Sequence, residues 1–202
     1  MDYGTLAPEE SGSILTVSTT TMSTAGTALT TWEEFLHLPD PADGALLELR
    51  DGEVVRVPPP RAIHVYIQSV LTEWLTLKAQ GQGRATNEFP YRPAANLQFW
   101  RADVAYLPAE DWPAMYAKDY PVYSPPLIVE VLSPSNTAAE IARRRIAAFS
   151  GGTREFWVVD PDHRTIEVSM PGAATRVYRA GDSVPVSVIP GALFPVQTLF
   201  RD

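Results

Sequence analysis

Pro125-Pro126-Leu127-Ile128-Val129-Glu130-Val131-Leu132-Ser133-Pro134-Ser135 sets five apolar residues around a single glutamate and fences the run with proline at both ends. An apolar run of this length between breakers predicts a strand buried on both faces, as in the middle of a sheet. Glu130 lies inside it. An ionised carboxylate there costs several kcal/mol unless it is neutralised, paired or bound to a metal. Two readings follow. In one, Glu130 pairs with an arginine, or its strand is open on one face. In the other it is a metal ligand on a central strand, which needs a second carboxylate close by.

The chain of 202 residues is long enough for one domain with a full core, or for one domain and a tail. Cysteine is absent, which excludes disulfides, thiolate catalysis and cysteine zinc sites and fits a reducing compartment. No apolar run approaches the ~18 residues of a membrane span. No basic segment followed by an apolar stretch opens the chain. A soluble cytoplasmic protein without membrane contact is the expectation. The net charge of −8 is unevenly placed: residues 1–60 hold ten acids and two bases, leaving fourteen of each in residues 61–202. A neutral body argues against a broad basic face for nucleic acid, while leaving room for a local basic groove.

Residues 1–28 are rich in Ser, Thr, Gly and Ala without apolar periodicity and read as a disordered tail. Residues 29–202 read as one domain, and Met22 competes with Met1 as the true start. Thr31 and Glu34 form a capping-box pattern that opens a helix from Trp32 to Leu38. Asp51-Gly52 between Leu46–Leu49 and Glu53–Val57 is a hairpin signal. Ile63, Ile67, Val70, Leu71, Trp74, Leu75 and Leu77 recur at helical spacing, so a helix is expected from Ile63 to Gln80, stopped by Gly81. Strands are expected over 84–91 and 97–107, then a Trp- and Tyr-bearing loop or short helix over 108–126. Thr137 and Glu140 open a further helix that ends before Gly151-Gly152. Glu155–Val159 reads as a strand, 164–170 and 175–178 as a meander, and a last strand ends near Phe200. The order is that of a mixed α/β protein with one main central sheet flanked by helices.

Asp103, like Glu130, sits among apolar residues of an expected strand. Were the two strands adjacent, the two carboxylates could share a hard cation such as Mg²⁺, which takes one or two carboxylates and completes its shell with water and phosphate oxygens. Arg143-Arg144-Arg145 spreads around a helix axis, so one of the three points inward, toward Glu130 or a substrate. His64 reads foremost as a polar residue at a helix start, and His37 and His163 as surface residues. Trp100, Trp112, Tyr116, Tyr120 and Tyr123 read as packing residues before base-stacking ones. Phosphate-loop, dinucleotide, zincin and serine-elbow motifs are absent.

Several stretches together resemble the Uma2 family, also called DUF820 or putative restriction endonuclease. They are Leu47-Glu48-Leu49-Arg50-Asp51-Gly52-Glu53-Val54-Val55, Pro58-Pro59-Pro60 with His64, Ala102-Asp103-Val104, Pro126–Ser135, and Arg154-Glu155-Phe156-Trp157-Val158-Val159-Asp160-Pro161. The resemblance runs from about Leu29 to Phe200. It implies a restriction-endonuclease-like fold of the PD-(D/E)XK superfamily, DNA as partner, and hydrolysis of DNA phosphodiesters with Mg²⁺ or Mn²⁺. Such folds often pair to cut two strands, which makes a homodimer an expectation. Carried over, Asp103 and Glu130 are metal ligands, Glu48 an auxiliary ligand or water-orienter, and His64 the histidine that begins the long helix. Leu132 stands where the superfamily has its lysine, and the family's lysine on the following helix aligns with Arg144. Arginine stays protonated at any working pH, so it stabilises charge on phosphorus but takes no proton from water. The alternative reading is therefore a catalytically weak or inactive nuclease-fold protein that binds nucleic acid or a protein partner. A domain in which Glu130 pairs with Arg143 or Arg144 for structure alone is the third.

Overall fold

Leu127–Val131 is buried at every residue and forms a central strand in the computed structural model, which describes residues 29–116, 120–134 and 136–200. The expected tail over 1–28 and the alternative start Met22 lie outside these residues, as do Ser135 and the side chain of Tyr116. The elements in order are α1 (Trp32–Leu36), β1 (Leu46–Arg50), β2 (Glu53–Val57), α2 (Ala62–Lys78), β3 (Gly83–Tyr91), β4 (Gln98–Pro108), a 3₁₀ turn (Trp112–Tyr116), β5 (Leu127–Val131), α3 (Ala138–Ser150), β6 (Glu155–Asp160), β7 (Thr165–Ser169), β8 (Arg176–Arg179), β9 (Ser183–Pro185), β10 (Leu193–Pro195) and a closing 3₁₀ turn (Val196–Thr198). No helix among the described residues is long and apolar enough to cross a membrane.

Eight strands form one mixed sheet in the order β2-β1-β4-β5-β6-β7-β8, with β3 paired to β4. β5 and β6 run parallel, joined by the α3 crossover, and the other pairs are antiparallel. The mixed central sheet flanked by helices is the architecture the sequence leads one to expect. Two layers cover it. Ile67, Leu71 and Leu75 of α2 pack on Val104, Val129, Val131 and Trp157, together with Phe194 of the C-terminal hairpin. On the other face Ala148 of α3 packs with Ala105, Ile128 and Phe156. A third cluster joins Trp32 and Phe35 of α1 to Leu49 and Phe99.

Two local expectations differ. The last strand is replaced by the separate β9–β10 hairpin and a 3₁₀ turn. Pro185, Pro190 and Pro195 interrupt the segment, and proline can neither donate to a ladder nor continue a strand interior. In α2 the buried stripe is His64, Ile67, Gln68, Leu71 and Leu75, whereas Ile63 and Leu77 face solvent.

β4 is the hinge of the topology. Its start pairs with β1 at Gln98 and Phe99, and its second half pairs with β5 at Val104–Tyr106. Residues Trp100–Asp103 between these pairings are in register with neither β1 nor β5. Backbone groups in such a fork need other partners, and those partners build the site.

Candidate active site

Extending the β4–β5 register by one step sets Asp103 opposite Glu130, where the ladder stops. Asp103 accepts the Val131 N–H at 2.6 Å through Oδ2, and this bond stands in for a missing ladder bond. Its other oxygen accepts Gln68 Nε2 at 3.3 Å, and the same amide donates to Glu88 Oε1 at 2.7 Å. Burial pushes the Asp103 carboxyl up to about 6, and the Glu88 charge adds to this, while the Val131 N–H, Arg144 and His64 hold it down. Burial likewise pushes Glu130 well above the usual carboxylate range; Arg144 opposes the shift and Asp103 and Glu48 enhance it. Two acids on adjacent strands therefore hold their protons more tightly than solvated carboxyls do.

The other half of the fork is closed by arginine. Of Arg143, Arg144 and Arg145, Arg144 is the buried one. Its Nη1 lies 3.4 Å from Glu130 and donates to the Arg101 carbonyl at 3.1 Å. Its Nη2 meets Glu48 Oε2 at 2.9 Å and Oε1 at 3.3 Å. Glu48 is fully buried. It also accepts the Arg101 N–H at 2.9 Å and Arg50 through Nε at 2.8 Å and Nη2 at 2.6 Å. Five donor contacts use the lone pairs that two carboxylate oxygens offer. Arg50 continues to Glu140 at 3.2 Å. Burial works against the Arg144 charge, yet Glu130, Glu48, Tyr91 and Asp103 outweigh it and raise the guanidinium above its ordinary value. Arg144 is thus a fixed cation, with its guanidinium carbon 5.1 Å from the Trp100 ring centre and that of Arg50 5.3 Å from the same ring.

His64 is buried beneath the same fork, with Nε2 3.2 Å from the Val131 carbonyl. Nε2 donates to that carbonyl, and Nδ1 is buried with no hydrogen-bond partner among the described residues. The five residues singled out in the sequence, Glu48, His64, Asp103, Glu130 and Arg144, thus surround one fork. Gln68, Glu88 and Tyr91 join them and were not singled out. Gln68 follows His64 by one helical turn inside an apolar stripe, a polar pair that marks a helix face turned toward a site. Glu88 sits in β3 at φ 49°, a left-handed conformation uncommon for any residue with a side chain and often found at functional sites. Tyr91 is buried with its hydroxyl unpartnered among the described residues; burial first, then Glu130, raises its pKa. Of the other aromatics, Trp100 is buried, Tyr123 donates its hydroxyl to Asp111 at 2.7 Å, and Arg84 lies over Trp112. Tyr120 is more than a third exposed.

Among the described residues no three His, Asp or Glu side chains form a group that could hold an ion. The donor set on offer is Asp103 and Glu130. Two carboxylates completed by water and phosphate oxygens suit Mg²⁺ or Mn²⁺.

The sequence model of the Uma2 family, whose description is putative restriction endonuclease, matches residues 32–197. Among solved structures, a putative nuclease belonging to DUF820 from Anabaena variabilis ATCC 29413 aligns with a TM-score of 0.70 at 23% sequence identity, covering 83% of this chain and 96% of that one. At that identity the likeness speaks for the fold. None of the curated proteins matches the chain.

Proposed function

The chain belongs to the Uma2 family, and from that premise we propose that it is a metal-dependent endonuclease that hydrolyses DNA phosphodiester bonds. The observation that carries the reading is the pair of acids at the fork, Glu130 buried and Asp103 partly buried, beside a fixed guanidinium. Asp103 and Glu130 are the residues to hold Mg²⁺ or Mn²⁺. When bound, such an ion polarises a phosphoryl oxygen and lowers the pKa of water. Arg144 presents permanent positive charge to the phosphate as negative charge develops on it. Glu48 and the Arg101 carbonyl fix the direction of that guanidinium. With its oxygens already taken by donors, Glu48 serves in this proposal to hold Arg144 and not as an auxiliary ligand. His64 ties α2 to the β5 end of the fork through the Val131 carbonyl.

A second reading has its own support. Arg144 occupies the position where the family pattern has lysine, and here it is ion-paired on two sides. A nuclease-fold protein that binds nucleic acid with little or no turnover would look the same. Mn²⁺ calorimetry with plasmid and single-strand cleavage, on wild type and Asp103→Ala, separates the readings. Metal binding and cleavage that both vanish in the variant are expected. Metal binding without cleavage in the wild type would favour the binding-only reading, with Arg144→Lys as the next protein to assay. A wild type that binds no metal would sink the ligand assignment.

A further inference from the structure

Beside the fork lies a cleft of about 180 Å³ whose walls include Phe35, Leu47, Phe99, Arg101, Tyr120 and Asp40. Its aromatic wall is continuous. Phe35 and Phe99 have ring centres 5.3 Å apart, and Tyr120 meets Phe99 edge-on at 5.0 Å while presenting much of itself to solvent. Arg101 lies with its guanidinium carbon 5.4 Å from the Phe99 ring centre. Among the described residues its Nε is buried with no hydrogen-bond partner and the guanidinium makes no ion pair. A cation without an acid is unusual in a region where Glu48 alone holds two arginines. Arg101 is nevertheless fixed in place, because its N–H is bonded to Glu48 and its carbonyl to Arg144.

Arg101 precedes Asp103 by two residues on β4. The two Cα positions lie ~7 Å apart along the strand. A chain of phosphodiesters lying on Asp103 and running along β4 would bring a neighbouring phosphate to Arg101 and its base to the rings beyond. An exposed tyrosine ring beside an arginine is a combination that holds unpaired bases, and Asp40 adds an acceptor suited to an exocyclic amine. We propose that this cleft is a nucleotide subsite: it takes the base of an unpaired nucleotide flanking the scissile phosphodiester, with Arg101 on that nucleotide's phosphate. The preferred substrate is accordingly a single strand, or a duplex opened at that point, and one copy of the site is sufficient for it. The inference rests on the nuclease reading above.

The test is fluorescence anisotropy in Ca²⁺, with a short labelled oligothymidine strand, alone and annealed to oligoadenine, its integrity checked on a gel. The single strand is expected to bind wild type about ten-fold more tightly than the duplex. Tyr120→Ala and Arg101→Gln are each expected to weaken single-strand binding by about ten-fold, the scale of one lost base stack or its phosphate anchor. Tyr120→Phe, which keeps the ring, is expected to bind as wild type. Arg101→Gln retains both backbone ties and carries the test should Tyr120→Ala unfold. A wild type that binds the strand, with Arg101→Gln and Tyr120→Ala binding equally well, would overturn the subsite and leave the nuclease reading intact. A wild type that binds neither form would overturn both. Metal-dependent cleavage of duplex alone would overturn the subsite only.

Discussion

Asp103 has its ionised form disfavoured by the fold itself. Its pKa is pushed from 3.8 to about 6, chiefly by burial. The folded protein binds this proton more tightly than the unfolded chain does. The group's contribution to stability is therefore greatest below the unfolded value and declines as pH rises toward about 6. Asp103→Asn removes the charge and keeps an acceptor for the Val131 N–H. It is expected to raise stability at neutral pH by about 1–3 kcal/mol, an order-of-magnitude conversion of the shift, and to give no gain below pH ~4, where both forms are protonated. Urea unfolding at acid and neutral pH measures this, and an equal effect at both would mean that the carboxylate is well solvated. Glu48 predicts the reverse. Glu48→Gln leaves Arg144 buried and Arg50 partly buried beside a neutral amide, and loss of about 3–5 kcal/mol is expected, the scale for breaking one side of a buried ion pair. If urea unfolding instead shows a loss below about 1 kcal/mol, Glu48 does not anchor the arginines. At this scale the sequence was informative about Asp103 and Glu130, since an acid inside an apolar strand must be paired, protonated or ligated. It was silent on which acid would hold Arg144, because residues 48, 130 and 144 meet only through the sheet.

The elements that were legible are those bounded by breakers with a known mechanism. The Thr31 and Thr137 capping boxes are both formed, with each threonine hydroxyl accepting the N–H of the glutamate three residues on. Asp51 and Gly52 take φ of 51° and 84°, as a two-residue hairpin turn requires. Glu140 of the second box also reaches Arg50, so the cap ties the start of α3 to β1. Thr137→Ala is expected to lower stability by about 1 kcal/mol, read by thermal or urea unfolding, and Thr137→Ser to restore most of it. Gly52→Ala is expected to be worse than an ordinary surface change. Beyond the left-handed backbone, its Cβ would sit 2.7 Å from the Leu29 Cβ. If Gly52→Ala unfolds at the wild-type temperature, the hairpin must be able to shift away from Leu29. The fork in β4 was not legible. Residues 97–107 read as one strand and form one, Gln98–Pro108. That its start and end pair with different partners depends on β1 and β5, which lie far from it in sequence. The C-terminal hairpin was obscured for a local reason, since apolar residues between prolines look alike whether they extend a sheet or fold over it.

Across the whole molecule, charge and metal are linked through protons. An ion held by Asp103 and Glu130 must displace the protons that burial has made these acids keep. Metal binding to the folded state alone raises the melting temperature by mass action. On the proposed function, Mn²⁺ is therefore expected to stabilise the wild type with a pH-dependent increment. The increment should be small near pH ~5, where Asp103 is protonated, and should grow as pH rises past about 6. Without metal the same rise in pH acts against stability through Asp103, so the two melting curves should diverge from acid to neutral pH. In Asp103→Asn the divergence should shrink at every pH, even though that protein starts out more stable. A thermal-shift series over pH, with and without Mn²⁺, measures all of this without any turnover. A metal increment that ignores pH, or that survives Asp103→Asn unchanged, would place the ion elsewhere in the chain.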